Sequence, residues 1–323
     1  MAATKIGRVA AACVPLLAAS CSAGAPSALS PGGPGAARVA DLWWLLFGIA
    51  VVVCVVVTVL VLWAVVRRRD ASARTATGRR FVVVWGLAVP AVILTFTYLT
   101  GLDGMRAFED PRDPKALTVE VTGHQWWWEV RYPASHFTTA NEIHVPVGRT
   151  VHVRLRTADV NHSFWVPQLT VKTDLVAGRV NDMWFTANRP GLFRGQCAEY
   201  CGTQHGRMAL HIVAEPDAAF NAWLARQARP ATAAGEGRQV FEAASCASCH
   251  TVAGTSAAGR QGPDLTHVGG RRFLGAGTLH NTPANLAAWI ANAQAYKPGN
   301  RMPPQPLAPE QLRAVTAYLD SLE

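Results

Sequence analysis

The sequence predicts three modules in series: a two-helix membrane hairpin, a Greek-key β-barrel and a C-terminal all-α domain. Three observations carry that prediction. Two stretches, Leu42 to Val66 and Phe81 to Leu102, run for 25 and 22 residues without a charge. From Leu117 to Val213, short β-branched and aromatic runs (LTVEVTG, TVHVRLRT, HSFWVP, DMWFTA, MALHIVA) alternate with Gly, Pro and Asn turns, the pattern of a closed antiparallel β architecture. Beyond an Ala/Gly-rich linker at Pro230 to Gly237, the remaining residues read as helices.

Residues 1–24 read as a secretory signal, with Lys5 and Arg8 ahead of an apolar run and small residues before a cleavage site. Cys21 is a candidate for lipoprotein processing. Residues 22 to 37 are dominated by Pro, Gly, Ala and Ser and are expected to form a flexible leader. The hairpin then occupies residues 40–103. At 1.5 Å per residue, each apolar stretch is long enough to cross a hydrocarbon core of about 30 Å. Trp43, Trp44 and Trp63 are placed as interface anchors. Pro90 is expected to kink the second span.

The formal charge of +9 is unevenly distributed. Six arginines, Arg67, Arg68, Arg69, Arg74, Arg79 and Arg80, lie between the spans, whereas residues 103–323 carry 21 Lys+Arg against 19 Asp+Glu. The positive-inside rule therefore puts that loop in the cytoplasm of a bacterial cell and both following modules on the outer side of a multi-pass membrane protein. The basic excess is no patch on a folded domain, so nucleic-acid binding is not expected.

Within the barrel region, Cys197 to Met208 (CAEYCGTQHGRM) holds two cysteines, a histidine and a methionine. Cys201 follows Cys197 by four residues, His205 follows by four more and Met208 by three. Thiolate, thioether and imidazole together suit copper, and the weak thioether argues against zinc. A second cysteine allows both sulfurs to bridge two ions. His162, which opens an aromatic strand about 35 residues upstream, is the candidate second imidazole. The competing reading is a disulfide on the outer side of a membrane, which leaves the spacing of His205 and Met208 to chance. His124, His136, His144, His152 and His211 lack partner spacing and are expected to be surface or hydrogen-bonded residues.

A second motif lies in residues 236–323. Cys246-Ala247-Ser248-Cys249-His250 is a C-x-x-C-H haem-attachment sequence, in which the cysteines form thioethers to the porphyrin and the histidine ligates iron. Gly262-Pro263-Asp264-Leu265, Asn300-Arg301-Met302-Pro303-Pro304 and the helical stretch Pro309 to Leu322 follow in an order that resembles a small single-haem cytochrome c. Met302 is then the expected sixth ligand, with His267 and His280 as rivals, and the carbonyl of Pro263 is expected to accept a hydrogen bond from His250.

In order, GHQWWWEV (123–130), NHSFWVPQL (161–169), KTDLVAGRVN (172–181) and the copper loop resemble subunit II, the CuA subunit, of haem-copper cytochrome c oxidases. The fused C-terminal cytochrome c makes the chain similar to the caa3 type. The resemblance implies a cupredoxin-like fold for residues 104–226. It implies a dinuclear CuA centre with Cys197 and Cys201 as bridging thiolates, His162 and His205 as terminal imidazoles, and Met208 and the Glu199 carbonyl as weak axial ligands. It also implies that the Glu199 carboxylate reaches a Mg(II) or Mn(II) shared with subunit I, and that Trp126 is the site of electron entry.

The function implied is electron transfer from cytochrome c, or a membrane-bound donor, through haem c and CuA to subunit I. That subunit, with haem a and CuB, reduces oxygen with proton translocation; subunit III and membrane lipid are further implied partners. The alternatives are the electron-transfer subunit of a CuA-containing nitric oxide reductase and a carrier without an oxidase. Two departures stand out. Arg131 to Phe137 contains no acid where family members that receive soluble cytochrome c often carry several, and Val82 replaces a glutamate often found three residues before the helix tryptophan, here Trp85. The first reduces steering of a basic donor, and a tethered haem domain needs less of it because the linker supplies a high effective concentration.

Overall fold

The computed structural model describes residues 26–67, 76–109, 111 and 113–323. The predicted signal, Cys21 and most of the arginine loop lie outside these residues.

Helix α1 spans Pro34–Val66. Its 33 residues give a length of about 50 Å, more than a hydrocarbon core needs, and the excess lies at the N-terminus. There the sequence expectation of a flexible leader is overturned. The Gly32 amide donates to the Gln168 carbonyl at 2.7 Å and the Asn188 amide donates to the Gly32 carbonyl at 2.7 Å, so the leader adds main-chain bonds to the barrel. Ala36 and Ala40 are buried. Small residues that read as disorder in composition here permit close backbone approach.

The second span comprises α2 (Ala76–Val83), a π-helical turn (Val84–Ala88) and α3 (Val89–Met105). The wide turn just precedes Pro90, the position at which a kink is expected. Proline lacks the N–H that would bond four residues back, and the Val89 amide bonds instead to the Val84 carbonyl five residues back. Residues such as Val52, Val57, Leu87 and Leu94 turn their side chains outward along both spans, as helices with a lipid-facing surface do.

The next domain is a β-sandwich of two five-stranded sheets. One has the order β3-β2-β1-β5-β8 and the other β4-β10-β9-β6-β7. In the first, β1 (Leu117–His124) lies between β2 (Trp127–Tyr132) and β5 (Thr150–Thr157), outside them are β3 (Phe137–Ala140) and β8 (Asn181–Thr186); in the second, β4 (Glu142–Pro146), β10 (Ala209–Glu215), β9 (Gly191–Cys197), β6 (His162–Trp165) and β7 (Thr173–Leu175) follow one another. Alternation along β1 and β5 turns Val119, Val121, Val151, Val153 and Leu155 into a shared core with Phe164, Leu210 and Ile212. Each such buried side chain contributes about 1.5–3 kcal/mol relative to exposure. β1 pairs in parallel with β5 within the first sheet and β4 with β10 within the second, so each sheet mixes parallel and antiparallel neighbours where the sequence reads as wholly antiparallel. The copper loop connects β9 to β10, as predicted, and His162 is the first residue of β6.

Helix α4 (Asp217–Gln227) leads to the C-terminal domain, which contains α5 (Glu236–Ala243), α6 (Cys246–Cys249), α7 (Pro283–Tyr296) and α8 (Pro309–Asp320). It also has one element absent from the all-α reading, the two-residue strands β11 (Phe273–Leu274) and β12 (Leu279–His280). The linker is not free chain. The Ala231 amide donates to the Ala253 carbonyl at 2.8 Å, and Ala231 and Ala233 pack on the core of this domain.

The two outer domains are docked. Glu142 Oε1 accepts hydrogen bonds from the amides of Arg272 (2.6 Å) and Phe273 (3.2 Å), His211 stacks on Phe273 with centroids 4.1 Å apart, and the Ala209 amide donates to the Ala276 carbonyl at 3.0 Å.

Candidate metal and haem sites

The β9–β10 loop brings together the side chains that the sequence singled out. Cys197 Sγ and Cys201 Sγ are 3.7 Å apart, too far for a disulfide, whose S–S bond is about 2.05 Å. His162 Nδ1 is 3.9 Å from Cys197 Sγ, His205 Nδ1 is 3.6 Å from Cys201 Sγ, and Met208 Sδ is 3.8 Å from Cys201 Sγ. The Glu199 carbonyl lies 3.2 Å from Cys197 Sγ. Two thiols, two imidazoles, a thioether and a carbonyl therefore converge, with His162, Cys197, Cys201 and Met208 buried.

This donor set fits a soft metal. Cys197 is held well below the usual thiol range, first by the hydrogen bond from Cys201, and the Cys197 thiolate in turn pushes Cys201 up. Two adjacent thiols that cannot both ionise alone are what a bridging cation would relieve. Gly123 contributes space, because a Cβ there would lie 2.7 Å from the His162 ring.

Asp159 is a residue that sequence reasoning missed. Its Oδ1 is 2.9 Å from His162 Nε2, which leaves Nδ1 facing the sulfurs. Its Oδ2 accepts from the Gln125 amide at 2.8 Å. Burial opposes its charge, but the bonds from His162 and from the Gln125 and Val160 amides outweigh that and keep its carboxyl below the usual range. The available signal was an acid three residues before His162, on the same loop.

Trp126 is half-buried against the barrel core, and its Nε1 donates to the Cys201 carbonyl at 2.9 Å. The Gln125 side chain donates to the same oxygen at 2.9 Å. Trp128 is fully buried, as expected of a core aromatic, and Trp127 stacks on His124. The Glu199 side chain is 45% exposed, with Lys172 Nζ 4.0 Å from Oε2. His144 and His152 are hydrogen-bonded to Glu215 (3.1 Å) and Asp182 (2.7 Å), as expected, whereas His124 Nε2 is buried 3.7 Å from Glu129 without a hydrogen-bond partner among the described residues, contrary to that expectation.

In the C-terminal domain, His250 Nδ1 is 2.7 Å from the Pro263 carbonyl, so Nε2 is the nitrogen left for iron. Burial lowers the His250 pKa and keeps the ring neutral, the form that ligates. A Cβ on Gly262 would lie 2.5 Å from the ring. Cys246 and Cys249 are unbonded thiols at the two ends of α6. These features fit covalent haem. Met302 sits in a pinned loop, in which Gln294 Nε2 donates to the carbonyls of Asn300 (2.7 Å) and Met302 (2.8 Å). The rival His267 has Nδ1 2.7 Å from the Glu323 carbonyl oxygen and Nε2 3.0 Å from that of Arg229, leaving neither nitrogen for iron. His280 is exposed beside Phe273.

Comparison with known proteins bears on both outer domains. The profile of the periplasmic domain of cytochrome c oxidase subunit II matches residues 134–215, and the cytochrome c profile matches residues 234–323. A cytochrome c oxidase subunit 2 of Alkalihalophilus pseudofirmus is 37% identical over 314 residues, covering 92% of this chain and 91% of the relative. The chain belongs to the cytochrome c oxidase subunit II family. The Bacillus subtilis subunit 2 is 29% identical and covers 97% of this chain and 96% of its own length. Among solved structures, the periplasmic domain of oxidase subunit II from Bradyrhizobium japonicum is 37% identical over 35% of this chain and 95% of its own, with a TM-score of 0.34. The membership makes this an oxidase subunit carrying copper and haem c, with two apolar spans, an outer-side β domain and subunit I of the complex as its partner.

Proposed function

We propose that the chain is the electron-entry subunit of a caa3-type oxidase, in which the haem domain takes electrons from a cytochrome c or membrane-bound donor and the copper domain hands them to subunit I. When bound, haem c and the dinuclear copper supply one-electron chemistry at nearly fixed geometry. The chain's own residues do the rest. Cys197, Cys201, His162, His205, Met208 and the Glu199 carbonyl hold the copper pair; Cys246, Cys249, His250 and Met302 hold the haem. Asp159 orients His162, and the Pro263 carbonyl orients His250. Trp126 is the entry residue of the copper domain.

The observation that carries this reading is the convergence of six soft or imidazole and carbonyl donors on one loop and the start of β6. The exposed Glu199 carboxylate supports a Mg(II) or Mn(II) shared with subunit I, since carboxylate oxygen suits a hard cation. The arginine loop faces the cytoplasm, and subunit III and lipid cover the remaining faces of the hairpin.

Spectroscopy on the purified complex tests the proposal. A mixed-valence dicopper signal, a c-type haem band and a-type haem are expected together. Absence of the dicopper signal overturns the site, and absence of a-type haem overturns the oxidase type.

A further inference from the structure

One lysine sits where the two redox domains meet. Lys297, directly after α7, is only 3% exposed, and its Nζ donates to the Trp126 carbonyl at 2.7 Å and to the Gly275 carbonyl at 3.1 Å. One bond reaches the copper domain and the other its own haem domain. Burial pushes its pKa down to about 7, and a buried ammonium is costly unless its hydrogen bonds are satisfied. Both oxygens that satisfy it are main-chain carbonyls, which side-chain rotation cannot withdraw.

Four residues further on, Arg301 continues the contact. Its Nη2 donates to Gln125 Oε1 at 3.1 Å and lies 3.6 Å from Asp159 Oδ2. Gln125 Nε2 in turn donates to the Cys201 carbonyl, the oxygen that Trp126 Nε1 also reaches. The segment from Lys297 to Met302 is thereby tied to one carbonyl of the copper loop along two tracks: through the Trp126 main chain and indole, and through Arg301 and Gln125. Gln204 and Arg207 of the copper loop reach back to the carbonyls of Pro298 and Tyr296.

We propose that Lys297 is a positioning residue for electron entry, clasping the main chain of Trp126 so that the segment bearing Met302 is seated on the copper loop. Arg301 is its auxiliary. The proposal rests on the reading of the two domains as haem and copper carriers. In the step concerned, one electron leaves the reduced haem domain and one is gained by the oxidised copper domain; no bond is made or broken and no proton moves. With the clasp closed, the Trp126 main chain is covered by the haem domain, so external donors deliver to the haem domain and not to Trp126.

The test uses the intact complex and a flash-activated ruthenium reductant that reduces the haem domain. The c-type haem band reports the first step and the dicopper band the second, while hydrogen exchange reads residues 124–128 and 294–302. In Lys297→Met the second step should slow roughly tenfold as the docked population falls, with the first step and both resting spectra unchanged and exchange raised in both segments. Lys297→Arg, which can still donate to both carbonyls, should recover most of the rate. A second step as fast as wild type in Lys297→Met, with both bands present, overturns the proposal. Should Lys297→Met fail to assemble, Arg301→Ala decides: its side chain is 65% exposed, and unchanged rate and exchange there overturn the clasp. Loss of a band in the wild-type complex overturns the reading of the domains instead.

Discussion

The Trp126 indole donates a 2.9 Å hydrogen bond to the carbonyl of Cys201, a residue 75 positions away in sequence and one of the two cysteines of the copper loop. The contact joins the turn between β1 and β2 to the loop between β9 and β10, and so ties the first sheet to the metal-binding end of the second.

Trp126→Phe keeps an aromatic ring and removes the donor. We expect the copper domain to be reduced more slowly by the haem domain, while copper content and the dicopper spectrum stay near wild type. Flash reduction with metal analysis checks this; copper loss in proportion to the slowing would assign Trp126 to the fold of the site instead.

Asp159→Asn should weaken copper binding without unfolding the barrel. Partners that orient a metal-ligating histidine typically contribute about 10–100-fold in affinity, and Asp159 is placed to orient His162. Copper retention during titration with a chelator measures it. An unchanged chelator midpoint would show that the strand alone orients the ring.

Cys197→Ser and Cys201→Ser should each abolish the dinuclear signal, leaving at most one copper. Met208→Leu should be milder, shifting the potential and loosening the metal, because a thioether is a weak axial ligand. Electron paramagnetic resonance and copper counting compare the three, and equal loss in all of them would contradict the axial role.

His144 gives a pH dependence. Its ring lies 3.8 Å from Glu142 Oε2 and 3.1 Å from Glu215 Oε2 and stacks on Trp223. Burial disfavours its charge, but the bonds to Glu142 and Glu215 prevail and raise its pKa above 6.5. The folded state therefore holds this proton more tightly than the unfolded chain. Its contribution is complete below pH 6.5 and is lost as pH rises through the folded value. Glu215 has the opposite sign: the His144 bond, its largest influence, lowers its pKa from 4.5, so its contribution is present above that pH and lost in acid. The pair should stabilise most between pH 4.5 and 6.5. Thermal unfolding of the intact chain across pH is expected to lose, in His144→Gln, the decline in stability that the wild type shows as pH rises above 6.5.

The ligand chemistry and the order of modules were legible in the sequence. Ligand type and spacing in Cys197 to Met208, the C-x-x-C-H run at Cys246 and the two uncharged stretches are local properties, and local chemistry is readable residue by residue. What those residues touch depends on the folded chain. Asp159 behind His162, the choice against His267 as a haem ligand, the packed leader at Gly32 and Ala36, and Lys297 on the Trp126 carbonyl all join positions far apart in the chain. Composition misread the leader because glycine and alanine serve disorder and close packing equally well, and only the opposing surface distinguishes the two. Lys297 was silent for the same reason: a lone lysine has no spacing pattern, and its role exists only once two domains bury it between two carbonyls.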